Sequence, residues 1–222
     1  MAGGAATIDL SFPHCWQAEI LPARPIILPT RHFVYPREAE EVERGALEVL
    51  VRPDAAEETA VGVGGFPPFT QKARKGWGTQ QSVPDAQPFL ATCALGFRDP
   101  AVPSGLWSAP HPDWLCAVSG GYAYLIDSTA PERFSMIPYR PVLEVRPVPD
   151  AGLLLFVGHH AILAWGVEGE AWQSAKLSDE GVTITGIESG VLRGLGWDLR
   201  TDKETPFALD LKTGAPIPFV RS

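Results

Sequence analysis

The residues best suited to catalysis are the adjacent pair His159–His160, which follows the apolar run LLLFVG. Glu168 and Glu170 follow in the next turn. An imidazole within hydrogen-bond reach of a carboxylate is the usual pair for general acid–base catalysis. The stretch therefore predicts one candidate catalytic site, at His159, His160, Glu168 and Glu170, of the kind a small hydrolase or lyase uses.

The sequence favours no metal and no cofactor. Successive residues of a strand point to opposite faces, so the two imidazoles of His159–His160 do not readily bind one ion. Cys15, Cys93 and Cys116 are far apart and lack metal-site spacing. Cys93 and Cys116 lie in apolar runs, which predicts buried free thiols. The GxSxG and HExxH patterns are both missing, so the common serine-hydrolase and zinc-protease classes find no support.

Two long, irregular stretches form a second candidate site. Residues 64–87 and 100–113 are rich in proline and glycine, and they are longer than chain reversal requires. Aromatic groups on proline-stiffened loops bind partners with less loss of entropy. These stretches supply the candidate binding residues Phe69, Trp77, Trp107 and His111. Trp77, set between Lys75–Gly76 and Gly78, is the expected anchor; the alternative is that these aromatic side chains plug the ends of the sheets.

The elements that position these residues are short β-strands. From Val142 to Thr213, apolar or alternating runs of four to eight residues end in Gly, Asp, Pro or Ser, as in a β-meander. Three corresponding runs begin at Trp114, Leu153 and Val191, so successive repeats begin 39 and 38 residues apart. A period near 40 with four strands per unit is typical of propeller blades, which run to roughly 40–45 residues.

The region from about residue 90 to the C-terminus resembles WD-like and quinoprotein-like propeller repeats in strand number and spacing. It departs from WD40 repeats because GH occurs only at Gly158–His159 and WD only at Trp197–Asp198. The chain also looks like bacterial proteins to which no activity can be attached, so no functional residue carries over. The expected fold is all-β, a small β-propeller-like array of four-stranded antiparallel units, with a β-sandwich as the alternative.

We expect a single domain over residues 1–222. Residues 1–89 form an irregular, Pro/Gly-rich part with one or two divergent β units, and residues 90–222 form three propeller-like repeats. Three units do not close a ring of four to eight blades. The N-terminal part or a second subunit must then complete it. We also expect the last strand, Ile217–Val220, to close the fold by pairing with an N-terminal strand near Ile8–Phe12 or Leu47–Val51.

The composition and net charge limit the classes of partner that this protein is expected to bind. A hydrophobic content of 45% indicates a globular chain. A net charge of −8 argues against nucleic acid or an anionic membrane as the main partner. The start lacks an apolar leader, which predicts a cytoplasmic protein. We therefore expect a non-catalytic binding or scaffold module, monomeric or homodimeric, whose partner is another protein or a small ligand; the hydrolase or lyase is the alternative.

Overall fold

The computed structural model describes residues 6–37, 44–54 and 87–218. Strands make up 51% of these residues, and the described part of the chain contains no α-helix. One turn of 3-10 helix, Pro149–Ala151, joins two strands. The predicted all-β class is therefore confirmed.

The described strands are, in chain order, β1 Thr7–Asp9, β2 Trp16–Leu21, β3 His32–Tyr35, β4 Ala46–Pro53, β5 Phe89–Ala94, β6 Gly105–Ser108, β7 Trp114–Ser119, β8 Tyr122–Asp127, β9 Phe134–Met136, β10 Glu144–Val148, β11 Leu153–Val157, β12 Ile162–Gly166, β13 Gly169–Gln173, β14 Val182–Glu188, β15 Val191–Asp198 and β16 Lys203–Asp210. They form four small sheets. Sheet I has the order β2-β4-β5-β3, sheet II β1-β6-β7-β8-β9, sheet III β10-β11-β12-β13 and sheet IV β14-β15-β16.

Sheets II, III and IV each contain an antiparallel meander of the same topology. The runs that begin at Trp114, Leu153 and Val191 become β7, β11 and β15, each the second strand of its meander. The sequence period thus corresponds to a structural repeat. In sheet II, β7 and β8 are joined by Gly120–Gly121, both at positive φ, which suits the two-residue turn of a tight hairpin.

Sheet I is the divergent unit. Its edge strand β3 runs parallel to β5, whereas β2, β4 and β5 are antiparallel. Because β5 pairs with β4 along its whole length, the first sheet extends past the expected boundary at residue 89. A second parallel pairing, Thr7–Asp9 with Gly105–Trp107, adds β1 to the edge of sheet II.

The sheets stack face to face in the order I, II, III, IV, with one apolar layer between each pair. The layer between sheets I and II contains Trp16, Tyr35, Val49, Phe89, Leu115 and Tyr124. That between sheets II and III contains Trp107, Cys116, Leu125, Leu154, Phe156 and Leu163. That between sheets III and IV contains Leu155, Ile162, Trp172, Ile184, Leu192 and Leu209. Sheet III is covered on both faces, which explains why all five residues of β11 are buried.

The chain termini pair differently from the expectation. Ile217 N–H donates to the Ala208 carbonyl at 2.8 Å, and Pro216 bridges Leu209. The described part of the last strand therefore extends sheet IV next to β16, and its expected pairing with β1 or β4 is wrong. A local hairpin costs less chain entropy than closure across the whole domain. Across the described residues, the array does not close into a ring.

Candidate functional site

The turn between β11 and β12 places His159 and His160 at a cleft of about 440 Å³ between sheets II and III. We call it the histidine cleft; it is lined by Tyr139, Arg140, Pro141, Gly158, His159, His160, Ala161, Gln173, Ser174 and Lys176. Three chain segments converge there: the connection from β9 to β10, the β11–β12 turn, and the connection from β13 to β14.

The two histidines are exposed, but their backbone is fixed. The His159 carbonyl accepts from Gly181 N–H at 2.9 Å, and the His160 carbonyl accepts from Leu177 N–H at 2.7 Å. The rings lie 6.2 Å apart at 47° and so do not stack. His160 Nδ1 is 3.1 Å from the Ser178 carbonyl. Because a carbonyl only accepts, Nδ1 carries the proton, and Nε2 is left for an interaction outside this bond.

The charged groups that line the histidine cleft are all cationic or can become so. Arg140 and Lys176 accompany the two imidazoles, and the cleft lining contains no Asp or Glu. The Arg140 guanidinium lies 5.2 Å from the centre of the Tyr122 ring, which orients it by a cation–π contact. Lys176 Nζ pairs with Asp179 Oδ1, although Asp179 does not line this cleft. The cleft is thus locally positive in a protein with a net charge of −8.

Tyr139 forms the buried end of the same cleft. Its hydroxyl is inaccessible to solvent and faces Gln173 without completing a hydrogen bond of normal geometry. Burial raises the pKa of Tyr139 to about 12, so the hydroxyl stays protonated at neutral pH. It is a donor, not a base, and a small movement of the exposed Gln173 side chain is enough to change what it donates to.

The predicted carboxylates Glu168 and Glu170 do not line the histidine cleft. Glu168 lies in the β12–β13 turn, and Glu170 lies on β13 opposite Trp165, near the end of β12 that is far from His160; both are exposed. Consecutive residues of a strand advance by about 3.3 Å, so the length of β12 separates them from the imidazoles. The residues lining this cleft therefore provide imidazoles without a carboxylate.

The aromatic loop site is placed only in part. Phe69 and Trp77 lie outside the described residues, so their part of the hypothesis stays a prediction. Trp107 belongs to β6, and its side chain is 3% exposed within the core between sheets II and III. It cannot serve as a surface contact, because its run GLWS is paired between β1 and β7. His111 is half-buried, and its Nδ1 lies 4.0 Å from Asp113 Oδ2.

A second cleft, of about 560 Å³, lies between sheets III and IV, and we call it the tryptophan cleft. It is lined by Lys176, Leu177, Ser178, Asp179, Gly196, Trp197, Asp198, Leu199, Arg200 and Thr205. Lys176 therefore lines both clefts. The sequence contained a signal, the half-exposed Trp197 at the end of an alternating strand, but not its proximity to Lys176.

A buried polar chain on sheet I was also missed by the sequence analysis. Thr92 Oγ1 donates to Glu48 Oε2 at 2.5 Å, and His32 Nε2 lies 2.9 Å from the same hydroxyl. Glu48 and Thr92 are directly opposite on β4 and β5. Glu48 is 5% exposed and Thr92 fully buried. Because Thr92 is buried, it is not accessible as a nucleophile. The hydrogen-bonded row of His32, Thr92 and Glu48 therefore has a structural role.

Within the described residues, no group of three His, Cys, Asp or Glu side chains is arranged to hold a metal ion. A search of the same residues for a helix long and apolar enough to span a bilayer finds none. No family model, no curated protein and no solved structure matches this chain.

Proposed function

We propose that this protein is a non-catalytic binding module on a propeller-like body, and that the histidine cleft holds a small anionic ligand. The observation that carries this proposal is the charge of the lining. Arg140, Lys176, His159 and His160 converge on one cleft without a carboxylate among the lining residues. Lys176 is already paired with Asp179, so Arg140 supplies the charge that an anion would compensate. Phosphate and carboxylate groups are the anions that these side chains recognise.

The shape of the histidine cleft supports a small ligand. A cleft of about 440 Å³ falls within the range of small-molecule sites, roughly 300–1,000 Å³. His160 offers Nε2, while its Nδ1 remains bonded to the Ser178 carbonyl. Only a ring that carries protons on both nitrogens has an Nε2–H that can donate to an anion, and that hydrogen bond is charge-assisted. The fixed backbone of the turn means that little order has to be gained on binding.

Four stacked sheets support the propeller-like body. Each sheet buries its apolar faces against a neighbour, and three of the sheets share one meander. Stacked units of this kind leave clefts between adjacent sheets at their rims, where ligands of repeat proteins are held. The long-loop surface remains the second proposed site, now centred on Phe69, Trp77 and His111. A hydrolase or lyase at His159–His160 is the alternative function, and it would need a carboxylate brought into the cleft.

Isothermal titration calorimetry with inorganic phosphate at pH 6 tests the anion site. We expect saturable binding that weakens as salt rises, because screening reduces the attraction. The double variant His159→Gln/His160→Gln keeps polar groups but removes both ionisable rings, and we expect at least a tenfold loss of affinity. The matched control is His14→Gln, a half-buried histidine outside both clefts, which should bind phosphate like the native protein.

Two results would overturn the proposal. One is a native protein that binds no phosphate at 10 mM (about ten-thousandfold above a micromolar Kd). The other is a double variant that binds phosphate as tightly as the His14→Gln control. Release of product from chromogenic phosphate or carboxylate esters, lost in the double variant, would favour the enzyme alternative.

A further inference from the structure

The histidine and tryptophan clefts are neighbours along one rim of the molecule. The connection from β13 to β14 forms a wall of each, since Lys176 lines both. His160 Nδ1, on the first side, donates to the carbonyl of Ser178, which lines the second. A side chain or ligand group that crosses Lys176 therefore passes directly from one cleft to the other.

The two clefts differ in charge. In the tryptophan cleft, Lys176 pairs with Asp179 and Arg200 pairs with Asp198, so the cationic and anionic groups balance. The carboxylates are also occupied by backbone donors: Leu199 N–H bonds Asp179 Oδ2 at 2.9 Å, and Arg200 N–H bonds Asp198 Oδ1 at 2.9 Å. This cleft offers no excess charge, in contrast to the cationic histidine cleft.

The tryptophan cleft provides a fixed aromatic surface instead. The backbone N–H of Trp197 donates to Ser178 Oγ at 2.8 Å, and the Trp197 carbonyl accepts from the backbone N–H of Asp179 at 2.8 Å. The backbone of Trp197 is thereby tied to the wall that carries Lys176. Its indole is half-buried and lines the cleft, beside Leu199, which is 62% exposed. A half-buried indole that lines a cleft is a stacking surface for a flat or ring-shaped group.

We infer that the ligand of this protein is a ring-bearing anion: its phosphate or carboxylate binds in the histidine cleft, and its sugar or aromatic ring crosses Lys176 to stack on Trp197. This inference rests on the proposed anion site and specifies its ligand class. The charge asymmetry sets the orientation, because the anion gains more from the cleft that contains Arg140 than from the one whose charged groups are paired with each other. Lys176 lies at the junction, where it can contact the group that links ring and anion.

Titrations with inorganic phosphate, glucose 6-phosphate, phenyl phosphate and glucose test this assignment. We expect both ring phosphates to bind at least tenfold more tightly than inorganic phosphate, and glucose alone to bind weakly. Trp197→Leu removes the stacking surface and should lower the affinity for ring phosphates to that for inorganic phosphate. Trp197→Phe keeps an aromatic face and should restore most of the difference. The better of the two ring phosphates identifies the ring as a sugar or an aromatic group.

The outcomes separate the two proposals. If inorganic phosphate binds but ring phosphates bind no more tightly, or if Trp197→Leu leaves their affinity unchanged, the ring subsite is wrong and the anion site stands. If Trp197→Leu weakens inorganic phosphate as much as the ring phosphates, the substitution acts through the fold and the subsite is also wrong. If no phosphate binds to the native protein, both proposals fail. Quenching of tryptophan fluorescence by phenyl phosphate, absent in Trp197→Leu, provides a readout that a purely structural role would not give.

Discussion

The Glu48 carboxylate accepts a hydrogen bond from the Thr92 hydroxyl at 2.5 Å across two neighbouring strands, and both side chains are buried. A buried carboxylate is costly unless its oxygens are bonded. Because Thr92 spends its only proton on Glu48, the bond to His32 at 2.9 Å requires that His32 Nε2 be the donor. The pair therefore sets the tautomer of the histidine on the adjacent strand β3.

Thr92→Val tests the contribution of this bond to stability. Valine fills the same space but leaves Glu48 Oε2 and His32 Nε2 without their shared partner. We expect the free energy of unfolding to fall by about 1–3 kcal/mol, the usual cost of an unsatisfied buried polar group. Thr183→Val, on an exposed position of β14, is the matched control and should change stability little. A loss in Thr92→Val no larger than in that control would contradict the structural role, as measured by urea denaturation.

His32 predicts a pH dependence of stability. Burial, and to a lesser extent the nearby Arg24, hold the pKa of His32 below its ordinary value of 6.5, while Glu48 opposes the shift. The folded protein thus binds this proton less tightly than the unfolded chain. The resulting stability is complete above pH 6.5 and is lost as the pH falls through the folded-state pKa.

His32→Gln should remove that dependence. The glutamine amide can still donate to Thr92 but does not titrate, so unfolding free energies measured between pH 5 and 7.5 should vary less with pH than in the native protein. Parallel pH profiles for the native protein and His32→Gln would show that His32 does not titrate as inferred.

Gly196 is required by the packing of the wall between the two clefts. A Cβ at this position would lie 2.1 Å from the Leu177 carbonyl oxygen. Gly196→Ala must therefore displace the connection that carries Lys176 and Ser178. We expect a loss of about 1–3 kcal/mol, as for other overpacked sites, together with weaker phosphate binding.

Gly186, on β14 of the same sheet, provides the matched control. A Cβ there would meet no heavy atom within 4 Å. Gly186→Ala should be neutral or slightly stabilising, by up to about 1 kcal/mol, because alanine lowers the entropy of the unfolded chain. Equal melting temperatures for Gly196→Ala and Gly186→Ala would disprove the close packing at Gly196.

The three cysteines should differ in reactivity. Cys15 is exposed, whereas Cys93 and Cys116 are buried, and burial raises the pKa of both buried thiols. Since the thiolate is the reactive form, we expect one thiol to react rapidly with 5,5′-dithiobis(2-nitrobenzoate) in the native state and three after denaturation. Cys15→Ser should abolish the rapid phase. A rapid phase that survives in Cys15→Ser would place a second thiol at the surface.

Part of the candidate site was accessible from the sequence. His159–His160 stood out because two ionisable residues end an apolar strand, and the structure places both at a cleft. Their expected partners Glu168 and Glu170 were chosen by proximity along the chain, and the intervening strand β12 carries them to the opposite end of sheet III. Arg140, Lys176 and Tyr139, which do line the cleft, come from connections that no sequence pattern associates.

Local rules determined the strands and their repeat. Alternation, β-branched and aromatic residues, and Gly or Pro at the turns specify a meander through interactions between residues close in the chain, so the period from Trp114 to Leu153 to Val191 was evident beforehand. The partners of the edge strands were decided by tertiary structure. Which strand covers an open edge depends on competing pairings of similar strength, and here β1 joins β6 while Ile217 joins Ala208. Tertiary structure also decided the clefts. They form only where sheets stack, because the side chains that line them come from connections that are separate in the sequence.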